Sequence, residues 1–278
     1  MIRIVAYTAF ALTAFAFNSI LCRLALRGGE IDAASFTAIR LVAGAVTLVI
    51  LVLAFGNTKN VTKIGNWRSA FFLFAYAICF SFAYLGLTTG TGALVLFGCV
   101  QMTMIGVSIV GGERPSRLEW IGLFVAFAGL VYLVFPGLTS PPVISAVLMA
   151  AAGGAWGIYT LRGKGNTEPL ADTTGNFIRS VPMVAVASLP FVSQMHVSPR
   201  GVILAVLSGS VASGIGYTVW YTALRYHTAT RAAILQLAVP LIAATGGIFF
   251  LSETADLRLV VAAALILGGI GLTIAGRK

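Results

Sequence analysis

The sequence predicts an all-α membrane protein of ten transmembrane helices, arranged as two inverted five-helix repeats. Three observations predict it. Hydrophobic residues make up 59% of the chain and charged residues 9%, with a mean hydropathy of +0.98, a balance no water-facing surface can carry. Ten apolar stretches each approach the ~20 residues that a helix needs to cross a hydrocarbon core of about 30 Å. The two halves of the chain also read alike at a spacing near 140 residues.

In chain order the spans fall near residues 4–22, 33–54, 69–87, 92–110 and 118–135, then 143–161, 172–192, 201–222, 231–250 and 257–275. Capping chemistry separates them. Ser116 with Glu119 forms a capping box, Pro141 and Pro142 follow Ser140, and Pro199 follows Ser198, each marking a helix start. The longest connections, near 55–68 and 162–171, are too short for a globular domain, so the working parts lie inside the membrane. Residues 1–137 form the first repeat and 143–278 the second, together one unit. The run from Met1 to Ala14-Phe15-Ala16 also fits a signal peptide, but its removal would delete one partner of the repeat. Cys22, Cys79 and Cys99 lie within or beside spans and read as packing residues.

The repeat is visible residue by residue. Arg23 pairs with Arg162, Phe36-Thr37-Ala38-Ile39-Arg40 with Gly175-Asn176-Phe177-Ile178-Arg179, and Tyr84-Leu85-Gly86-Leu87 with Tyr221-Thr222-Ala223-Leu224. The stretch 111–122 pairs with 251–262. Five spans per half is an odd number, so the second half enters the membrane from the opposite side. With the N-terminus in the cytoplasm, twelve basic residues fall on inner segments and four on outer ones (Arg23, Arg27, Arg200, Arg258). The net charge of +10 is therefore a positive-inside signal with both termini cytoplasmic, and no nucleic-acid partner is implied.

This architecture, a Phe-x-x-x-Arg or Phe-x-Arg signature in each second helix (Phe36 to Arg40, Phe177 to Arg179), and Glu113 and Glu253 closing each fourth helix resemble the EamA-type branch of the drug/metabolite transporter superfamily. The resemblance covers essentially the whole chain. Within the superfamily, the length, the aromatic helices and the lack of membrane carboxylates resemble the bacterial exporters of aromatic and other neutral amino acids. It implies a multi-pass protein of the bacterial inner membrane.

All eight acids fall in loops or at helix ends, which argues against exchange of protons for a cationic drug. Arg40 and Arg179 sit about two turns inside their helices. Either suits a substrate carboxylate or phosphate; the commoner arrangement for such residues is snorkelling or pairing with backbone carbonyls. A central cavity is expected from rings and amides. Tyr76, Phe80 and Tyr84 stand on one face of the third helix, Ser213, Tyr217, Trp220 and Tyr221 on one face of the eighth, and Trp156 with Tyr159 on the sixth. Each ring taken alone is as consistent with an interfacial belt or packing as with lining the cavity. Asn18, Gln101 and Gln236 are the amides deep in spans, where facing lipid would leave them unpaired; hydrogen bonding between helices is the other reading. Gly98, Gly106, Gly209, Gly214, Gly216 and Pro240 make helices 3, 4, 8 and 9 the expected gates. Gly122, Ala126 and Gly129, matched by Ala264, Gly268 and Gly271, make helices 5 and 10 scaffold or contact surfaces.

The expected function is a secondary carrier that exports small neutral amphipathic metabolites, amino acids including aromatic ones, by alternating access. A carrier of sugars or nucleotide sugars, using the buried basic residues as phosphate partners, is the alternative. A membrane-embedded serine hydrolase is hinted at by Ser208, Ser210 and Ser213, but His196 and His227 fall in loops on opposite faces, so a base is missing. No catalytic residue, metal site or cofactor is expected, and the partners are the small-molecule substrate and the bilayer. A channel would want a charged ring, which the sequence lacks.

Overall fold

Runs of Ala, Leu, Val, Ile and Phe with few breakers leave the backbone one option in lipid, which is to satisfy every N–H and C=O inside a helix. The computed structural model describes residues 2–55, 65–87, 89–112, 114–134, 142–251 and 257–275, and their regular structure is helical apart from one isolated β-bridge. Glu113, Glu253 and Pro141 lie outside the described residues.

The helices are α1 (Ile2–Arg27), α2 (Ala33–Phe55), α3 (Trp67–Gly86), α4 (Thr89–Val110), α5 (Arg117–Val134), α6 (Val143–Gly163), α7 (Pro169–Ser188), α8 (Pro199–Leu207), α9 (Gly216–Leu224), α10 (Ala229–Gln236), α11 (Ala238–Leu251) and α12 (Leu257–Ala275). Among the described residues, six helical rods are long and apolar enough to cross a membrane. One of them, Pro199–Leu224, joins α8 to α9 through a π-helical stretch, Ser208–Ile215. Starts follow the expected caps: Ser116 and Glu119 exchange backbone-to-side-chain bonds (2.8 and 3.2 Å), and Ser198 accepts from the amide of Gly201. Pro240 cannot donate to the carbonyl of Gln236, and α10 ends at that residue.

The six long rods are predominantly apolar, as membrane-crossing helices must be. On α2, Phe36, Arg40, Leu41 and Leu48 are buried while Val42, Val46, Ile50 and Leu53 form an exposed stripe that only lipid can cover. α5 and α12 pack through small residues, as expected, but the contacting glycine is Gly269: a Cβ there would press on Gly122 and Ala126, whereas Gly268 and Gly271 have open space. α6 lies along α3 and α4, and α1 lies along α8, α9 and α11.

α2 and α7 run antiparallel and are tied at both ends. Beyond the start of α2, Asp32 bonds the amide of His196, Glu30 accepts from Ser198, and Ile31 bridges Val197. Beyond its far end, the amide of Gly65 donates to Asp172 (3.0 Å) and that of Asn66 to Asn176 (3.0 Å). Gly65 adopts φ +78° against the backbone of Gly175, a left-handed turn that a side chain would obstruct.

Candidate functional site

Four elements (α1, α3, α6 and the α8–π–α9 rod) turn their rings toward one another at the middle of the molecule. Trp156 is the hub, with its ring centroid 4.7 Å from Tyr217, 5.0 Å from Tyr76, 5.2 Å from Phe15 and 5.9 Å from Tyr159. Tyr76 leads to Phe80 and Phe80 to Tyr84 along α3. Tyr159 leads to Tyr221, whose hydroxyl donates to the Tyr159 carbonyl, and Trp220 reaches the cluster through Phe15. All eight rings expected to line the cavity are at most 6% exposed, so Tyr84 and Tyr221 are interior residues and not an interfacial belt. Phe15 and Phe177 join the cluster unforeseen.

The amides are interior too, and each joins helices. Asn18 donates to the Tyr76 hydroxyl (3.3 Å) and accepts from Ser208 (2.5 Å). Gln236, at the α10 terminus set by Pro240, accepts from the Trp156 indole (2.7 Å) and donates to Met104 and to the Ala232 carbonyl. Gln101 donates to the Ala233 carbonyl, and its Oε1 has no partner among the described residues. These bonds link the rings to α4 and α10 in one continuous network.

The largest departure from expectation is Arg40. Far from snorkelling, it is fully buried. Its Nε donates to Ser213 (3.1 Å) and its Nη2 to Tyr217 (2.8 Å), while the guanidinium lies 5.3 Å from the Tyr76 centroid and 5.6 Å from that of Phe80. Its Nη1 has no partner among the described residues. The π-helical stretch makes this approach possible: a Cβ on Gly209 would run into the Arg40 carbonyl, and only glycine lets the two backbones touch there. Ser213 and Ser208, one hint of a hydrolase in the sequence, are spoken for by Arg40 and Asn18. Arg179 behaves as expected of such a residue and donates to the Gly175 carbonyl one turn back (2.9 Å).

Among the described residues outside the helices, Asp32 is the titratable group with a clear displacement. Partial burial would raise its pKa, but bonds from Ser35 and from the amides of His196 and Ala34 outweigh this and hold the carboxyl below its ordinary value. No group of three His, Cys, Asp or Glu that would hold a metal occurs among the described residues.

A helical, apolar-surfaced shell around a buried polar and aromatic centre defines the class, a multi-helix membrane protein. The chain carries an EamA-like transporter domain, matched at residues 143–275, and is homologous to an exporter of the drug/metabolite transporter superfamily. An uncharacterised protein of Pseudomonas aeruginosa is 45% identical over 270 residues, spanning 97% of this chain and 94% of its own. The threonine/homoserine exporter of Escherichia coli K12 is 25% identical over 257 residues (84% of each chain), and an uncharacterised transporter of Archaeoglobus fulgidus is 28% identical over 208 (70% and 71%). A solved crystal structure superposes over 99% of both chains with a TM-score of 0.81 at 19% identity, a likeness of fold. Members of this family carry small molecules and are not enzymes.

Proposed function

We propose that the protein is a secondary carrier exporting small neutral amphipathic metabolites, amino acids including aromatic ones, across the bacterial inner membrane by alternating access. The carrying observation is the ring-and-amide network, whose eleven expected members (Asn18, Tyr76, Phe80, Tyr84, Gln101, Trp156, Tyr159, Tyr217, Trp220, Tyr221, Gln236) are all at most 6% exposed. Several of its polar atoms, among them Gln101 Oε1 and the Trp220 indole nitrogen, are buried without a partner among the described residues, and a polar cargo would satisfy them. The unpartnered Gln101 Oε1 is an acceptor suited to an ammonium group. Exporter relatives of related sequence, including one named for threonine and homoserine, favour an amino-acid cargo over a sugar phosphate.

Ten spans in two inverted repeats are the architecture we attach to this reading. It is supported by reciprocal packing: α6 lies along α3 and α4, as α1 lies along α8–α9 and α11, so the first helix of each half packs on the third and fourth spans of the other. The charge bias supports cytoplasmic termini.

Proteoliposomes preloaded with each of the twenty amino acids, and with glucose and UDP-glucose, test the reading by efflux. Flux of neutral amino acids supports it; flux confined to the sugars rejects it. Cysteines at Asn60 and Asn166, in a background without native cysteine, should resist an impermeant thiol reagent on intact cells, and labelling at Asn60 would reverse the orientation.

A further inference from the structure

The Arg40 guanidinium carries a full positive charge in the interior of a membrane protein, and its neighbours among the described residues supply no countercharge. The described carboxylates Glu30, Asp32, Glu119, Glu168 and Asp172 all lie at helix ends or in connections. Arg40 touches neutral hydroxyls and ring faces instead. Ring quadrupoles and two hydrogen bonds offset part of the desolvation cost of a buried cation, but a full anion offsets far more. One nitrogen, Nη1, keeps both N–H donors without a protein acceptor among the described residues. One turn along from Tyr217, the Trp220 indole N–H is likewise buried and unpartnered. The centre thus has donors to spare, and an acceptor-rich ligand is what would satisfy them.

We infer that Arg40 is the docking point for a ligand carboxylate, gripped through Nη1 within the cage of Tyr76, Phe80 and Tyr217. This rests on the proposal that the surrounding network is the substrate site, and it names the group by which the substrate is held. A single guanidinium with one unspent nitrogen matches a singly charged carboxylate. A phosphate dianion would want a second cation, and the repeat mate Arg179 bonds the carbonyl of its own helix. A structural arginine would hold Ser213 and Tyr217 together without regard to the ligand; a docking arginine makes the protein discriminate an acid from its neutral amide.

The test uses the purified full-length protein and reads tryptophan fluorescence, since Trp156 lies against Tyr76 and Tyr217 of the cage. Three probes are titrated: L-phenylalanine, L-phenylalaninamide and phenylacetate. The wild type should bind the two acids at least about tenfold more tightly than the amide, the size expected for a charge-assisted hydrogen bond. Arg40→Gln should abolish that preference, and Arg40→Lys should keep part of it. The acid-to-amide ratio of the wild type decides the matter even where the variants fail to fold. Equal binding of acid and amide overturns the inference and leaves the amino-acid reading standing. Binding of phenylacetate with no response to any amino acid keeps Arg40 as the anchor and removes the amino-acid reading; no response to any probe removes both. Chloride in excess competing fully with phenylalanine would make Arg40 a site for inorganic anions and also overturn the inference.

Discussion

Arg40 and Arg179 occupy matching places in the two halves of the sequence, yet one is fully buried in the centre of the molecule and the other, half-buried, bonds its own helix. The difference lies in what each second helix meets. At Arg40, α2 meets the π-helical stretch, where Gly209 admits backbone contact and Ser213 and Tyr217 face the guanidinium. By the repeat alignment, the counterparts of Ser213 and Tyr217 are Tyr76 and Phe80, which would fall to Arg179 in a symmetric molecule. Both rings instead lie against Arg40. Two like charges in one dry cage would repel strongly, so a duplicated arginine is used once. Similar sequence surroundings of the two arginines therefore do not give them similar structural surroundings.

The comparison is most easily broken at the backbone contact. Gly209→Val should lower thermal stability in detergent by about 1–3 kcal/mol or prevent folding, because its Cβ meets main chain and cannot be repacked. Gly106→Ala, with open space around it, should melt like the wild type; equal melting of both variants would mean that α2 does not touch the π stretch. Next in size, Arg40→Gln should cut phenylalanine efflux at least about tenfold while Arg179→Gln stays within about twofold, the range of substitutions away from a polar network. Similar losses would restore the symmetric reading. A smaller effect is expected at Phe80→Leu, which removes a ring from beneath the guanidinium and should cost about 0.5–2 kcal/mol; in an Arg40→Gln background the same change should cost less. The smallest effect concerns Asp32. Its folded pKa lies below its unfolded one, so its contribution is present above the ordinary carboxylate range and is lost as pH falls through the folded value. Melting curves taken downward from pH 5 should show Asp32→Asn less acid-sensitive than the wild type, and parallel curves would remove the tie to His196 from the stabilising contacts.

Much of the scaffold was legible because lipid imposes it. The spans near 69–87 and 201–222 correspond to Trp67–Gly86 and Pro199–Leu224, and the capping box at Ser116 and Glu119 formed as written. The stripes on α3 and α9 pointed inward because helical spacing alone puts Tyr76, Phe80 and Tyr84 on one face. What could not be read depends on contacts across the chain. Nothing near Arg40 in sequence announces Ser213 or Tyr217, 173 and 177 residues away. The π-helical register is hidden in Ser208-Gly209-Ser210, which reads equally well as an ordinary helix turn. Among small residues, Gly268, Gly269 and Gly271 differ only by rotation about α12, so choosing the contacting one needs the partner helix.

The double fastening of α2 to α7 has an electrical meaning. A cytoplasmic membrane holds a voltage, and every elementary charge slipping through releases about 2.3 kcal/mol per 100 mV. Asp32 with His196 seals one extremity of the seam while Asp172 with Gly65 seals the other. Each seal consists of a few hydrogen bonds, individually worth about 0.5–1.5 kcal/mol, cheap enough for thermal motion to undo one while its counterpart holds. On the carrier reading proposed above, fastenings that open one at a time would make the molecule an airlock, which surrenders throughput relative to an open conduit and in return keeps the cell's battery charged while the cargo leaves.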